Sequence, residues 1–289
     1  MIRTKILGLG SYAPDRIVED ATGDLALAAT QRALADASVE AGQLDCIIFG
    51  TMSPDLHAPG TGVVLQRKLG IAENTHCACF DLRRQCSAFI YGLQMADAFV
   101  RTGMYHRVLL VGAELGAGAI VLGPMESDDP RSGVIYTSAH ADGNGAMDLC
   151  LKIFDLTRRP YLDHDARDLD PHQVMYPSME GKRVFLNAVR GMVMSTQAAL
   201  ANTGLGWDDI HWFVPHQANL RINEKVVEVA NIPRDKVLSA IQRHGNTTAA
   251  TVPLTIDHWR QQGRVKRGDR ILSSVFGSGF TWGAAIFTF

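Results

Sequence analysis

The sequence predicts an α/β protein built from two similar halves. Segments with the period of strands alternate with segments with the period of helices along the chain, which argues for layered sheets and helices. Ala33-Leu34-Ala35-Asp36 precedes the apolar run Leu44-Asp45-Cys46-Ile47-Ile48-Phe49, and Ala199-Leu200-Ala201-Asn202 precedes Ile210-His211-Trp212-Phe213-Val214 at the same offset of 166 residues. A second echo follows in the same order. Residues 103–111 and 266–272 each read as a basic turn entering a buried strand, and glycine-rich hairpins follow at 116–121 and 277–286. Together these patterns imply a duplicated unit, with one half at 1–165 and the other at 166–289.

Each element has its own signal. Met1-Ile2-Arg3-Thr4-Lys5-Ile6-Leu7-Gly8 opens the chain as a strand. Residues 33–36 close a helix, an acidic turn follows, and 44–49 form a buried strand. The apolar run Cys77-Ala78-Cys79-Phe80-Asp81-Leu82 stops at the polar break Arg83-Arg84-Gln85, and a helix-period segment runs from Ser87 to Ala96. Residues 126–173, rich in Asp, Pro, Arg and His, read as surface loops and an insertion joining the halves. Helical periodicity resumes at Val184 and continues to about Leu200.

Composition narrows the functional classes. Of 289 residues, 46% are hydrophobic and 20% charged, as expected of a globular protein with a large core. A formal net charge of −2 gives no basic field for nucleic acid or an anionic membrane. No stretch approaches the ~18 apolar residues needed to cross a bilayer. Five irregularly spaced cysteines make no disulfide framework, which suits a reducing cytoplasm.

Three segments carry chemistry. Cys86 follows a strand and a sharp turn and stands at a helix N-terminus, where free N–H groups and the helix dipole favour the thiolate. His216 follows a strand end in Val214-Pro215-His216-Gln217-Ala218-Asn219-Leu220-Arg221. Asn246 sits on a glycine turn before a helix of small residues, in His244-Gly245-Asn246-Thr247-Thr248-Ala249-Ala250-Thr251. Strand C-terminal ends gather at one edge of an α/β sheet, so a Cys, a His and an Asn can meet there as a nucleophile with two hydrogen-bonding partners. Other signals carry less. Gly8-Leu9-Gly10 resembles a dinucleotide fingerprint, but Pro14 follows and no helix opens there. Cys77, Cys79 and Cys86 lack zinc spacing and read as core thiols apart from Cys86.

These motifs resemble the β-ketoacyl-ACP synthase III family of thiolase-superfamily condensing enzymes. The resemblance rests on Gln85-Cys86-Ser87-Ala88-Phe89, the His216 segment, Gly245-Asn246-Thr247-Thr248-Ala249-Ala250, Met179-Glu180-Gly181-Lys182-Arg183-Val184-Phe185 and Phe276-Gly277-Ser278-Gly279-Phe280-Thr281-Trp282-Gly283. It implies a thiolase-like duplicated five-layer αβαβα fold. It implies an acyltransferase that loads an acyl group from acyl-CoA onto Cys86 and condenses it, with loss of carbon dioxide, with a malonyl thioester carried by acyl carrier protein or coenzyme A. The backbone N–H groups of Cys86 and Ser278 would form the oxyanion hole, and His216 and Asn246 would hydrogen-bond the malonyl carbonyl. Phe89, Asn219, Phe276 and Gly277 would contact substrate, and Arg221 would dock the carrier protein. No metal or redox cofactor is implied, and a homodimer is. A thiolase-fold acyltransferase acting on an amine or hydroxyl without condensation is the alternative; retention of both His216 and Asn246 argues against it.

The chain departs from the family pattern in three places. It lacks a segment after Asp20 that helps hold coenzyme A, and a loop after Leu115 that shapes the acyl tunnel. Leu186 stands where many relatives have a carrier-docking lysine.

Overall fold

Two sheets of related topology frame the molecule, whose computed structural model describes residues 1–14, 21–151 and 177–289. The first holds β1 (Ile2–Tyr12), β2 (Cys46–Gly50), β3 (Ala78–Leu82), β4 (Val108–Ala113) and β5 (Ala117–Glu126), in the order β1-β5-β4-β2-β3. The short strands β7 (Leu149–Cys150) and β8 (Ser178–Met179) pair only with each other. The second sheet holds β6 (Val134–Ala141), β9 (Trp212–Pro215), β10 (Arg270–Gly277) and β11 (Thr281–Thr288), in the order β6-β11-β10-β9.

The two sheets repeat one pattern. The hairpins β4–β5 and β10–β11 are antiparallel, β2 and β9 run parallel to β4 and β10, and β1 and β6 lie antiparallel on the other side. In the first sheet β3 adds a fifth, parallel strand. Its counterpart in the second shrinks to a single parallel bridge between Phe213 and Val237.

Helices fill the layers: α1 (Thr22–Ala37), α2 (Thr61–Lys68), α3 (Ala88–Arg101), α4 (Gly181–Thr203), α5 (Leu220–Val229), α6 (Ile241–His244) and α7 (Thr251–Gln261). α1 and α2 cover one face of the first sheet. α3 and α7 touch both sheets and so form the middle layer, while α4 packs on the outer face of the second sheet with α5 against it. Three apolar cores correspond to these spaces: one under α1, one around α3 and α7, and one under α4 and α5. The result is the five-layer αβαβα arrangement expected from the sequence.

The sequence echo is structural. α1, the 3-10 turn Ala41–Gln43 and β2 are repeated by α4, the 3-10 turn Trp207–Asp209 and β9 at the 166-residue offset. Because layers cover both faces of the first sheet, its central strands are apolar throughout: every residue of β2 and β4 is buried. Gly8 and Gly10 have a packing reason. A Cβ on Gly8 would lie 2.2 Å from the Ala33 carbonyl oxygen, and one on Gly10 would lie 2.4 Å from the Ala33 nitrogen. The glycines let β1 lie directly against α1, whose facing residues Ala26, Ala29 and Ala33 are buried and small.

Strand pairing places the change of halves earlier than residue 165. β6 begins at Val134 and hydrogen-bonds β11, so it belongs to the second sheet. The stretch read as loops from 126 to 173 therefore contains a full strand, whose buried residues Val134 and Ser138 are interspersed with half-exposed ones. The remainder of that stretch, beyond Leu151, lies outside the described residues, as do His164 and His172.

Candidate active site

The centre of the middle layer is where α3 and α7 begin. Each is preceded by a 3-10 turn, Gln85–Ser87 before α3 and Thr248–Ala250 before α7, and the two turns pack against each other. Both are entered on a residue with positive φ, Gln85 at 44° and Thr248 at 42°. That conformation is unusual for a residue with a Cβ, and most unusual for a β-branched one. Ala249 of the second turn covers Gly112 at the end of β4 and approaches Gly50 at the end of β2. The Cys86 segment and the Asn246 segment therefore meet over the strand ends.

Cys86 occupies the middle of the first turn, two residues before α3 begins at Ala88. The loop after β10 holds this turn. Ser278 Oγ donates to Gln85 Oε1 at 3.1 Å, Ser87 Oγ and Thr281 Oγ1 are 2.7 Å apart, and Ser87 Oγ donates to the Arg84 carbonyl at 2.9 Å. Gly277 packs closely here: a Cβ on it would stand 3.2 Å from the Ser87 nitrogen and 3.3 Å from Cys86 Cβ. Ser278, expected to share the oxyanion hole with Cys86, is thus held beside the cysteine turn.

His216 leaves the end of β9 with its backbone N–H on the Ser274 carbonyl at 2.9 Å. Its side chain is buried, and Nδ1 lies 2.6 Å from Thr251 Oγ1 at the start of α7. Nε2 is buried and has no protein partner. Asn246 lies on the exposed side of the second turn, where its Oδ1 accepts the Thr248 N–H at 2.9 Å. The carboxamide oxygen is thereby committed, and the NH2 end is the one left to offer.

The electrostatics correct one expectation. The Cys86 thiol is not shifted toward thiolate; burial, and then the Glu114 carboxylate, push it up to about 12, against a smaller opposing effect of its own backbone N–H. The cysteine sits outside the first turn of α3 proper, and desolvation outweighs what the N–H groups supply. Burial also drives His216 down to about 3, so the ring is neutral at physiological pH. Glu114, raised by burial, accepts the Met52 N–H at 2.6 Å and the Ser53 hydroxyl.

The remaining expected residues divide. Phe276 is buried, lies with its ring centroid 5.0 Å from that of Phe280 at a tilt of 42°, and borders a cavity of about 140 Å³ with Met194 and Trp282. Phe89 lies in the apolar core of the middle layer with Ile90 and Leu93, as a packing residue. Asn219 is the N-cap of α5, its Oδ1 accepting the Arg221 N–H at 2.9 Å, so its oxygen serves the helix rather than His216. Arg221 is exposed in the first turn of α5, and Leu186 is exposed on α4. Two residues were missed. Thr251 was visible in the asparagine motif without a role, and Glu114 was visible only as an acid at the end of the apolar strand 108–113. Among the described residues no cluster of His, Cys, Asp and Glu could hold a metal ion, and the five cysteines are unbridged.

Similarity to known proteins follows the same lines. Residues 80–115 match the family model "3-Oxoacyl-[acyl-carrier-protein (ACP)] synthase III", and residues 200–289 match the model of its C-terminal part. The chain is 36% identical to the β-ketoacyl-[acyl-carrier-protein] synthase III of Bradyrhizobium diazoefficiens, over 99% of this chain and 98% of that one. It is 35% identical to that of Alkalilimnicola ehrlichii, over 99% of each. The first alignment spans 337 positions against the 289 residues of this chain, so it contains gaps opposite this chain, and the first family match ends at Leu115. The 3-oxoacyl-[acyl-carrier-protein] synthase III of Aquifex aeolicus superposes with a TM-score of 0.85 at 29% identity, over 99% of this chain and all of that one. The priming β-ketosynthase of the R1128 polyketide pathway superposes with a TM-score of 0.85 at 28% identity, over 99% and 96%. With the fold, the paired turns and full-length similarity in agreement, the chain belongs to the β-ketoacyl-[acyl-carrier-protein] synthase III family.

Proposed function

We propose that this enzyme condenses an acyl group, delivered as acyl-CoA and held as a thioester on Cys86, with a malonyl thioester, releasing carbon dioxide and a β-ketoacyl thioester. The single observation that carries the assignment of residues is the pair of polar ends left open around the Thr248–Ala250 turn, which packs on the cysteine turn. His216 Nε2 is buried without a partner, and the Asn246 carboxamide has its oxygen tied down and its NH2 free. Buried polar atoms are ordinarily satisfied by protein, so an open one at a site marks a place for substrate.

The roles follow from chemistry. Cys86 sulfur attacks the acyl thioester carbonyl. The oxyanion rests on the N–H groups of Cys86 and Ser278, each such donor contributing ~3–4 kcal/mol to the transition state. Loss of carbon dioxide from the malonyl group leaves an enolate, which Asn246 stabilises from Nδ2. The enolate carbon then bonds the acyl carbon and expels the Cys86 sulfur. Under this reading thioesters are the substrates, and no metal or redox group enters the chemistry. The malonyl group arrives on acyl carrier protein, Arg221 contributes to docking it, the enzyme works as a homodimer, and a reducing cytoplasm keeps Cys86 free.

Product mass tests this reading. Enzyme loaded from acyl-CoA and given malonyl thioester is expected to yield a β-ketoacyl thioester two carbons longer, with one carbon dioxide per product. An acyl amide or ester would indicate simple transfer, and free acid without carbon dioxide would indicate hydrolysis; either contradicts the proposal.

A further inference from the structure

Cationic and titratable side chains from both halves line one cleft. Ser11 of β1 and Arg32 of α1 meet Arg243 and His244 of α6 and His258 and Gln261 of α7 around a cavity of about 150 Å³. A water molecule's share of the liquid is about 30 Å³, so a tetrahedral oxyanion fits with waters to spare. The charge in the cleft is not balanced. Among the described residues Arg243 makes no ion pair and no side-chain hydrogen bond. Arg32 donates to the Ser11 carbonyl at 2.6 Å and lies over the Tyr12 ring at 5.2 Å, so no carboxylate answers its charge. Asp257 is buried and already committed: it accepts from the Ser11 hydroxyl at 2.6 Å, from Arg260 at 2.9 Å and from Gln261 at 3.0 Å. Asp36 on α1 is taken by Arg260 and Arg267. The His244 and His258 rings meet edge to face with centroids 5.3 Å apart, and His244 Nε2 is buried without a protein partner.

We propose that this cleft binds a phosphate-type dianion, held by Arg32 from the first half and by Arg243, His244 and His258 from the second. The chemistry selects the class of ligand. A guanidinium is always charged and presents a planar fork of N–H donors that matches the oxygens of an oxyanion. Two fixed positive charges with no acid to answer them call for two negative ones. A phosphate or a phosphomonoester supplies both; a carboxylate supplies one. The histidines extend the argument. Burial first, and then repulsion, hold both rings below the ordinary range: His258 and Arg243 repel the charge on His244, and Arg243 repels it on His258, where Asp257 opposes the effect. An anion in the cleft works against that repulsion, so anion binding and protonation of the two rings reinforce each other. None of these side chains is among those assigned to the condensation, so the test needs no turnover.

Histidine ring-proton NMR reads the cleft directly, with His244→Gln and His258→Gln assigning the resonances. Sulfate is the probe, because its charge is constant while the histidines titrate, and sodium chloride at equal ionic strength is the reference. Sulfate is expected to raise the titration midpoints of His244 and His258 by about one pH unit and to leave that of the exposed His76 in place. Arg243 is exposed, so Arg243→Gln should fold; it is expected to weaken sulfate binding about tenfold or more, and Arg243→Lys to weaken it less. Inorganic phosphate and glycerol 3-phosphate, titrated at neutral pH on the same resonances, separate the sources. Saturation by both assigns the cleft to the phosphate group wherever it is carried, by inorganic phosphate alone to the free anion, and by the ester alone to a phosphorylated metabolite. Midpoints that are the same in sulfate and chloride overturn the proposal. So does a sulfate effect that persists unchanged in Arg243→Gln, and so does failure of both phosphates to saturate.

Discussion

Gln85 and Thr248 share one backbone conformation, φ near +43° as 44° and 42°, on two 3-10 turns that pack together where α3 and α7 begin. The relationship is the duplication seen at its most local: each half enters its central helix through the same strained step. One turn carries the cysteine, and the other sits between Asn246 and Thr251. A left-handed residue with a Cβ costs roughly 1–2 kcal/mol, so the surrounding packing must enforce it.

The strain at Gln85 sets the tolerance of the cysteine turn. Gln85→Gly is expected to stay within about 1 kcal/mol of the parent in denaturant unfolding, since relief of strain offsets loss of the Ser278 hydrogen bond. Gln85→Val should lose about 2 kcal/mol or more, because β-branching is least compatible with this φ. Equal stability of the two variants would contradict the strained-turn account.

The resting thiol is expected to be protonated. Burial and the Glu114 carboxylate both disfavour the charged thiolate, so alkylation of Cys86 should rise steadily from pH 7 to 10 without levelling off. Glu114→Gln removes one of the two causes and should raise alkylation at pH 8 severalfold. Site-resolved mass spectrometry after timed exposure to iodoacetamide checks both. A plateau below pH 8 in the parent would mean that the turn's N–H groups outweigh burial after all.

His216 makes the fold sensitive to acid in a defined window. Its folded value of about 3 lies below the ordinary 6.5, so the unfolded chain binds more protons between these limits. The contribution is fully present above pH 6.5 and is lost as pH falls toward 3, by up to about 1.4 kcal/mol per pH unit. Urea midpoints measured across that range should fall less steeply in His216→Gln than in the parent. Parallel profiles would show that the ring is not held neutral by burial.

Much of this was legible in the sequence because it rests on local pattern. The 166-residue echo corresponds to the repeated helix, turn and strand units α1–β2 and α4–β9, and apolar runs ending in polar turns gave the strand ends that Cys86 and His216 follow; Asn246 instead follows the short helix α6. β6 was missed because half-buried Ile135 to Thr137, exposed His140 and flanking Asp and Pro hide its alternation, and its partner β11 lies far away in sequence. The state of Cys86 was misjudged because a helix N-terminus is a local feature, whereas burial and the approach of Glu114 arise only on folding. Asn219 looked like a site residue from its place beside His216, yet an Asn one residue before a helix is equally a cap. Thr251 could have been noticed as a hydroxyl at a helix start; its contact with His216 spans 35 residues and has no sequence signature.

The central claim is that Cys86 is the residue that carries the acyl group. Brief incubation with acyl-CoA, quenching in acid and tryptic digestion should place one acyl mass on the peptide that begins at Gln85 and ends at Arg101. Subsequent malonyl thioester should remove it, and Cys86→Ala should never acquire it. An acyl group found on another cysteine, or turnover persisting at the parent rate in Cys86→Ala, would contradict the account.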